Sequence, residues 1–121
     1  MKLARIFTLL LGMSLAMGWP LVSLAHVHMD RSVPEDGAHL KVAPKVVQVW
    51  FSGKVAAEWS AIEVTDAQGQ RVDEGEATNA GDPRQLDVGL KPLGSGTYAV
   101  KLNVISGDGH RVKGSFSFVV E

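Results

Sequence analysis

Histidine and aspartate residues lie close together at two places in this sequence, and they are the side chains best able to carry chemistry. His26 and His28 are two residues apart, and Asp108-Gly109-His110 pairs a carboxylate with an imidazole at the same spacing. Imidazole is the commonest nitrogen ligand for metals in proteins. On an extended backbone Asp108 and His110 point to the same side and could reach one ion together. Asp-Gly is also a frequent hairpin turn, so a purely structural role for this pair stays open.

The beginning of the chain predicts a secretory signal. Lys2 and Arg5 precede a largely apolar run over residues 6–17, and Ser23-Leu24-Ala25 has the small-x-small pattern of a cleavage site. We therefore predict a signal peptide at residues 1–25 that is cleaved after Ala25, with export to the periplasm. The remaining residues, 26–121, are enough for one domain.

Cleavage after Ala25 changes the chemistry of His26. The residue gains a free amine whose ordinary pKa is about 7.7 to 8.0, so a metal displaces its proton easily. The amine nitrogen and the imidazole Nδ1 of one histidine then close a six-membered ring with the metal. An internal histidine cannot chelate in this way, so His26 is the first ligand that we predict.

Two other histidines allow different interpretations. His28 would be third in the cleaved chain, and an amine-x-His start can wrap copper(II) or nickel(II) with its deprotonated backbone amides. That mode needs the amides of Val27 and His28 free, whereas residues 27–31 resemble a first strand, so we predict it as the minor mode. His39 follows a turn with no other histidine close in sequence, and we expect it to be a solvated surface residue.

The available donors favour one metal. Nitrogen and oxygen ligands without sulfur suit a divalent ion with tetragonal preference, and copper(II) has the highest affinity in the series for such ligands. The chain has no cysteine, and Met29 is the only methionine after residue 25, so a soft copper(I) site is not available. The residues therefore favour one copper(II) ion with His26 as its first ligand, and Asp108 and His110 are further candidate donors.

Composition narrows the functional classes. The whole chain has a formal net charge of −1, and loss of Lys2 and Arg5 with the signal makes the remainder more acidic, which disfavours nucleic-acid binding. The sequence contains no Gly-x-Ser-x-Gly nucleophile motif, so we predict that the protein is not an enzyme. Two alternatives stay open. One is a copper-dependent redox enzyme with a histidine brace, and the other is a structural or interaction module with incidental histidines.

The elements that must position these residues are strands. Apolar residues alternate in Val47-x-Val49-x-Phe51, in Tyr98-x-Val100-x-Leu102-x-Val104 and in Phe116-x-Phe118-x-Val120. Turn signals separate such runs at short intervals. The pattern predicts an all-β fold of about seven short strands, an antiparallel sandwich of immunoglobulin-like or Greek-key type. The polar residues 73–83 predict an exposed, mobile loop.

Several segments, in order, resemble the CopC family of periplasmic copper-resistance proteins over nearly all of residues 26–121. The segments are His26-Val27-His28, Ser32-Val33-Pro34, Val47-x-Val49-x-Phe51-Ser52, Gly96-Thr97-Tyr98, Ser106-Gly107-Asp108-Gly109-His110 and Gly114-x-Phe116-x-Phe118-x-Val120. The resemblance implies a seven-stranded β-sandwich. It also implies a copper(II) site made by the amine and side chain of His26 with Asp108 and His110.

The resemblance also suggests a role and a partner. It implies copper homeostasis or resistance, by sequestration or by delivery to a CopD-like inner-membrane protein, and we expect the protein to be a monomer. Two features depart from the family pattern. The methionine-rich loop that some members use for copper(I) is missing between Ser60 and Arg84, and Gly53 follows Phe51-Ser52 where several relatives have an acidic residue.

Overall fold

The protein is a sandwich of two four-stranded sheets. The computed structural model describes Gly18 and residues 26–121. Except for Gly18, the predicted signal peptide and its cleavage site therefore lie outside the described residues. The strands are β1 (Met29–Val33), β2 (Ala38–Leu40), β3 (Val46–Phe51), β4 (Ala61–Thr65), β5 (Asp73–Thr78), β6 (Gln85–Leu90), β7 (Gly96–Ile105) and β8 (Arg111–Val120). One 3-10 turn, Ala57–Trp59, precedes β4. Among the described residues, no helix is long and apolar enough to cross a bilayer.

The predicted β-sandwich is confirmed, with two corrections. One sheet has the order β1-β3-β6-β5 and the other β2-β8-β7-β4, which gives eight strands in residues 26–121 instead of seven. Strand β2 runs parallel to β8, so the second sheet is mixed and not purely antiparallel. Three residues are too few to show an alternating pattern, and the pairing depends on contacts distant in sequence, such as the N–H of Gly37 donating to the carbonyl of Ser117 at 2.7 Å.

The core lies between the two sheets and follows the predicted alternation. Val47, Val49 and Phe51 are buried on β3, and alternate residues of β7 and β8 are buried against them. Tyr98 and Phe118 are cross-strand partners whose rings stack at 5.4 Å between centroids. Apolar burial of this kind provides the main stabilising free energy in a chain that has no disulfide.

The predicted loop at residues 73–83 is wrong in its first half, because Asp73–Thr78 forms the edge strand β5 on β6. Glu74 and Glu76 face solvent, and charged side chains on an edge strand discourage pairing with another chain, which accounts for the polarity of the segment. Asp73 is the exception, since its carboxylate is buried and hydrogen bonded. That acidic side chain therefore stabilises a strand that its composition does not indicate.

Four segments meet at one end of the sandwich. They are residues 26–28 before β1, the connection between β3 and β4, the connection between β5 and β6, and residues 106–110 between β7 and β8. Three of the four histidines, His26, His28 and His110, belong to these segments. The antiparallel pairing of β7 with both β4 and β8 places the start of β4 and the start of β8 at this same end.

Candidate metal centre

Residues 52–56, which follow β3, connect the segments at this end. The carbonyl of Lys54 accepts a hydrogen bond from the N–H of Gly107 at 2.8 Å, and the N–H of Val55 donates to the carbonyl of Pro83 at 2.9 Å. A Cβ on Gly107 would lie 3.3 Å from the Cβ of Lys54, so a glycine at this position allows the two backbones to approach. We refer to residues 52–56 as the anchoring segment.

A five-residue connection shapes the turn that carries Asp108 and His110. Ile105 and Arg111 are the last paired residues of the β7–β8 hairpin, and the N–H of Gly109 donates to the carbonyl of Ser106 at 2.9 Å. Gly109 has a φ of +86°, in the left-handed region that favours glycine. The predicted proximity of Asp108 and His110 is therefore produced by a turn, and not by alternation along an extended strand.

Asp108 and His110 contact each other directly. Nδ1 of His110 lies 2.9 Å from Oδ2 of Asp108, and both side chains are more than half exposed. Hydrogen bonds from Ser106 and then from His110 lower the pKa of Asp108 to about 2. An ionised carboxylate can only accept, so Nδ1 of His110 carries the proton and the lone pair of the neutral ring is on Nε2. A metal at Nε2 would therefore meet a histidine whose tautomer and orientation are already set.

Ser106 supports this pair and was not predicted from the sequence. Its hydroxyl is buried, donates to Oδ1 of Asp108 and accepts from the N–H of His110 at 3.1 Å. The remaining carboxylate oxygen is thus left for His110 or for a ligand. A serine two residues before an Asp-x-His motif is the only sequence signal for this role, and it is a weak one.

His26 lies beside the pair. Its ring centroid is 6.2 Å from that of His110, and the planes meet at 74°. The three predicted ligands are therefore at one end of the molecule. Within residues 26–121, however, no three His, Asp or Glu side chains are close enough to form a metal site without movement.

The two other histidines are placed differently. Nε2 of His28 lies 3.1 Å from Oδ1 of Asp30, and both side chains are largely exposed. The backbone of His28 is fixed to Ser52 by two hydrogen bonds. His39 is exposed on β2, where it is the register partner of Val119.

The fold and these side chains define a class: small β-sandwich proteins with exposed histidine and carboxylate donors at one end. Residues 29–121 match the protein-family model described as the CopC domain. The chain belongs to the CopC family.

Individual relatives match most of the described chain. Protein YobA of Escherichia coli strain K12 is 33% identical over 99 residues, which cover 80% of this chain and 80% of that protein. Copper resistance protein C of Xanthomonas campestris pv. juglandis is 32% identical over 106 residues, covering 82% of this chain and 83% of that protein. The crystal structure of CopC from Methylosinus trichosporium OB3b is similar with a TM-score of 0.75 and 34% identity, covering 79% of this chain and 94% of that chain.

Proposed function

We propose that this protein binds one copper(II) ion in the periplasm and serves copper homeostasis or resistance. The ligands are the amine and imidazole of His26, the carboxylate of Asp108 and the imidazole of His110. The observation that carries the proposal is the position of the hydrogen-bonded Asp108–His110 pair beside the ring of His26. The name of the Xanthomonas relative, copper resistance protein C, supports the choice of metal.

The distances are compatible with such a site. Metal–nitrogen bonds of about 2.0 Å put two ligating imidazole centroids roughly 4.5 to 6.3 Å apart, depending on the angle at the metal. The observed 6.2 Å lies within that range, near the value for two imidazoles on opposite sides of the ion. The low pKa of Asp108 supports the proposal because the carboxylate stays ionised wherever the imidazoles can bind.

Two uses of the ion follow from a site of this kind, sequestration and delivery to a CopD-like membrane protein. Both require binding without turnover, and we propose no catalytic role. An exposed site favours exchange of the ion, because neither Asp108 nor His110 is enclosed by other residues. Release of copper to a competing chelator within seconds would favour delivery, and retention for hours would favour sequestration.

The proposal is tested by native mass spectrometry of the protein recovered from the periplasm, with and without one equivalent of copper(II). We expect a monomer that starts at His26 and takes up one ion. A variant with one glycine inserted before His26 keeps every side chain but moves the amine, and it should bind copper much more weakly. Equal binding by that variant would contradict the amine-plus-imidazole site.

A further inference from the structure

Val27 and His28 lie along the anchoring segment. The N–H of His28 donates to Oγ of Ser52 at 3.0 Å, and the N–H of Ser52 donates to the carbonyl of His28 at 2.9 Å. A Cβ on Gly53 would lie only 2.9 Å from Cγ2 of Val27, so glycine leaves the space that Val27 occupies. Val27 in turn packs partly buried against the core.

These contacts affect a second way in which copper(II) could bind. A free amine at His26 could be followed by the deprotonated amide nitrogens of Val27 and His28 and then by the imidazole of His28. That set places four nitrogens in one plane and uses neither Asp108 nor His110. It requires the amide of His28 to lose its proton and to turn its nitrogen towards the metal.

A hydrogen bond at the amide nitrogen of His28 opposes this four-nitrogen mode. The amide nitrogen of His28 cannot bind a metal while its hydrogen is donated to Ser52 Oγ. Loss of this bond also leaves the hydroxyl to find another partner, and a net intramolecular hydrogen bond stabilises by about 0.5 to 1.5 kcal/mol. The second bond, from the N–H of Ser52 to the carbonyl of His28, holds the following peptide unit in place and so limits movement of the His28 backbone.

We propose that Ser52 is a positioning residue that selects between the two modes: it holds the amide of His28 and so directs copper(II) from the amine of His26 towards Asp108 and His110. This inference rests on the proposed function, because it assumes that the mature chain begins at His26. Gly53 assists by letting Val27 pack against the end of β3. Neither residue touches the metal.

The test compares two backgrounds in which Ser52 has opposite effects. In His110→Ala the first site is weakened, so copper should move to the four-nitrogen mode, with a d–d band at shorter wavelength and four nitrogens in the electron paramagnetic resonance spectrum. Adding Ser52→Ala should raise the copper affinity of His110→Ala about threefold to tenfold, the value of one hydrogen bond. Ser52→Ala alone should instead leave affinity unchanged or lower it. Loss of a merely structural contact would weaken binding in both backgrounds.

Three further variants make the assignment specific. Ser52→Thr keeps a hydroxyl and should restore the affinity of His110→Ala alone. His28→Ala in the doubly substituted protein should abolish the four-nitrogen spectrum. Ser95→Ala is a matched control, because its hydroxyl donates to the carbonyl of Glu121 at the opposite end, and it should change nothing.

The outcomes separate the two proposals. If His110→Ala has the affinity and spectrum of the unsubstituted protein, the proposed copper site is wrong, and with it the selection by Ser52. If His110→Ala binds weakly in the four-nitrogen mode and Ser52→Ala does not strengthen it, the copper site stands and the role of Ser52 is wrong. A four-nitrogen spectrum in the unsubstituted protein would overturn both.

Discussion

Two acid–base pairs with the same spacing lie at opposite ends of the sandwich and serve different purposes. Arg71 contacts Asp73 at 2.7 Å, and His110 contacts Asp108 at 2.9 Å. The Asp73 side chain is 1% exposed, whereas that of Asp108 is 59% exposed. A spacing of two positions therefore says little about what a pair does, and the surroundings of the carboxylate decide it.

The hydrogen-bond count of each carboxylate shows the difference. Asp73 accepts two bonds from Arg71, one from the N–H of Val64 on β4 and one from the N–H of Gly75, so both of its oxygens are fully used. Asp108 accepts bonds only from within its own turn, and its exposed face is open. A carboxylate whose hydrogen-bonding positions are all occupied joins two strands, whereas one with positions left open is able to take a ligand.

A lowered pKa does not distinguish these roles. Burial raises the pKa of Asp73, but the hydrogen bonds from Arg71 and from the N–H groups of Val64 and Gly75 outweigh burial and hold that pKa below its usual value. The pKa of Asp108 is lowered as well, to about 2, by Ser106 and His110. Exposure and open lone pairs, and not the direction of the shift, mark Asp108 as the candidate ligand.

The largest expected effect is on copper affinity at the exposed pair. His110→Ala removes a proposed ligand, and we expect copper(II) affinity to fall at least about a hundredfold, the upper range for loss of a partner that only orients a ligand. The free energy of unfolding should change by less than about 0.5 kcal/mol, because the side chain is exposed. Chelator competition and urea unfolding measure the two quantities. A large loss of stability would show that the turn is structural after all.

The buried pair should respond in the opposite way. Asp73→Asn places an amide N–H₂ group among donors from Arg71 and Val64, and we expect a loss of about 2 kcal/mol in the free energy of unfolding, as for a hydrogen bond to a charged group. Copper affinity should be unchanged, since the site lies at the other end of the sheet. If Asp73→Asn bound copper more weakly under conditions in which it is fully folded, the two ends of the sandwich would not be independent.

The pH dependence gives a second measurement on Asp73. Because its pKa is lower in the folded protein, its contribution to stability is fully present above the ordinary carboxyl pKa of about 3.9 and is lost as the pH falls through the lower folded value. The stability difference between Asp73→Asn and the unsubstituted protein should therefore shrink as the pH falls below about 4. A difference that stays constant down to pH 2 would show that the charge of Asp73 is not the cause.

A smaller effect is expected for Asp108→Asn. The amide keeps the shape of the side chain but has no charge to offer a cation, so we expect copper affinity to fall about tenfold. Isothermal titration with copper(II) in a weakly competing buffer measures this change. If the variant bound copper with the affinity of the unsubstituted protein, Asp108 would only stabilise the turn and would not be a copper ligand.

The smallest expected effect is none at all. His39→Ala removes an exposed imidazole from β2, which pairs with the end of β8 distant from His110, and it should alter neither copper affinity nor stoichiometry. The same titration serves as the measurement. A lower stoichiometry would reveal a second site that the comparison of the two ends does not include.

The sequence was most informative where burial is periodic. Alternation in β3, β7 and β8 predicted both the strands and their buried faces, because each side chain of a half-buried strand meets either core or water. The alternation rule failed at β5, where the buried residue is Asp73. Its hydrogen-bond donors are the N–H of Val64 on β4 and the side chain of Arg71. Local polarity cannot show that a carboxylate will be saturated by long-range hydrogen bonds.

The candidate site was predictable in its residue types and less so in its construction. The motif at Asp108 and His110 and the position of His26 indicated donors, and the structure brings them to one end. The contribution of Ser106 depends on a five-residue turn, and that proposed for Ser52 depends on a contact between His28, just before β1, and the anchoring segment. Neither follows from spacing along the chain, since serine hydroxyls are compatible with almost any exposed position.

The proximity of His26 and His110 has a mechanical consequence. These two residues stand near the beginning and near the end of residues 26–121, so an ion bound by both would close a covalent-like loop around almost the whole domain. In chain-entropy terms, a cross-link of that span restricts the unfolded chain by on the order of 4 kcal/mol. A protein without cysteine would thereby obtain from a bound ion the kind of constraint that many exported domains obtain from a disulfide, and the loaded form would resist unfolding and proteolysis better than the empty one.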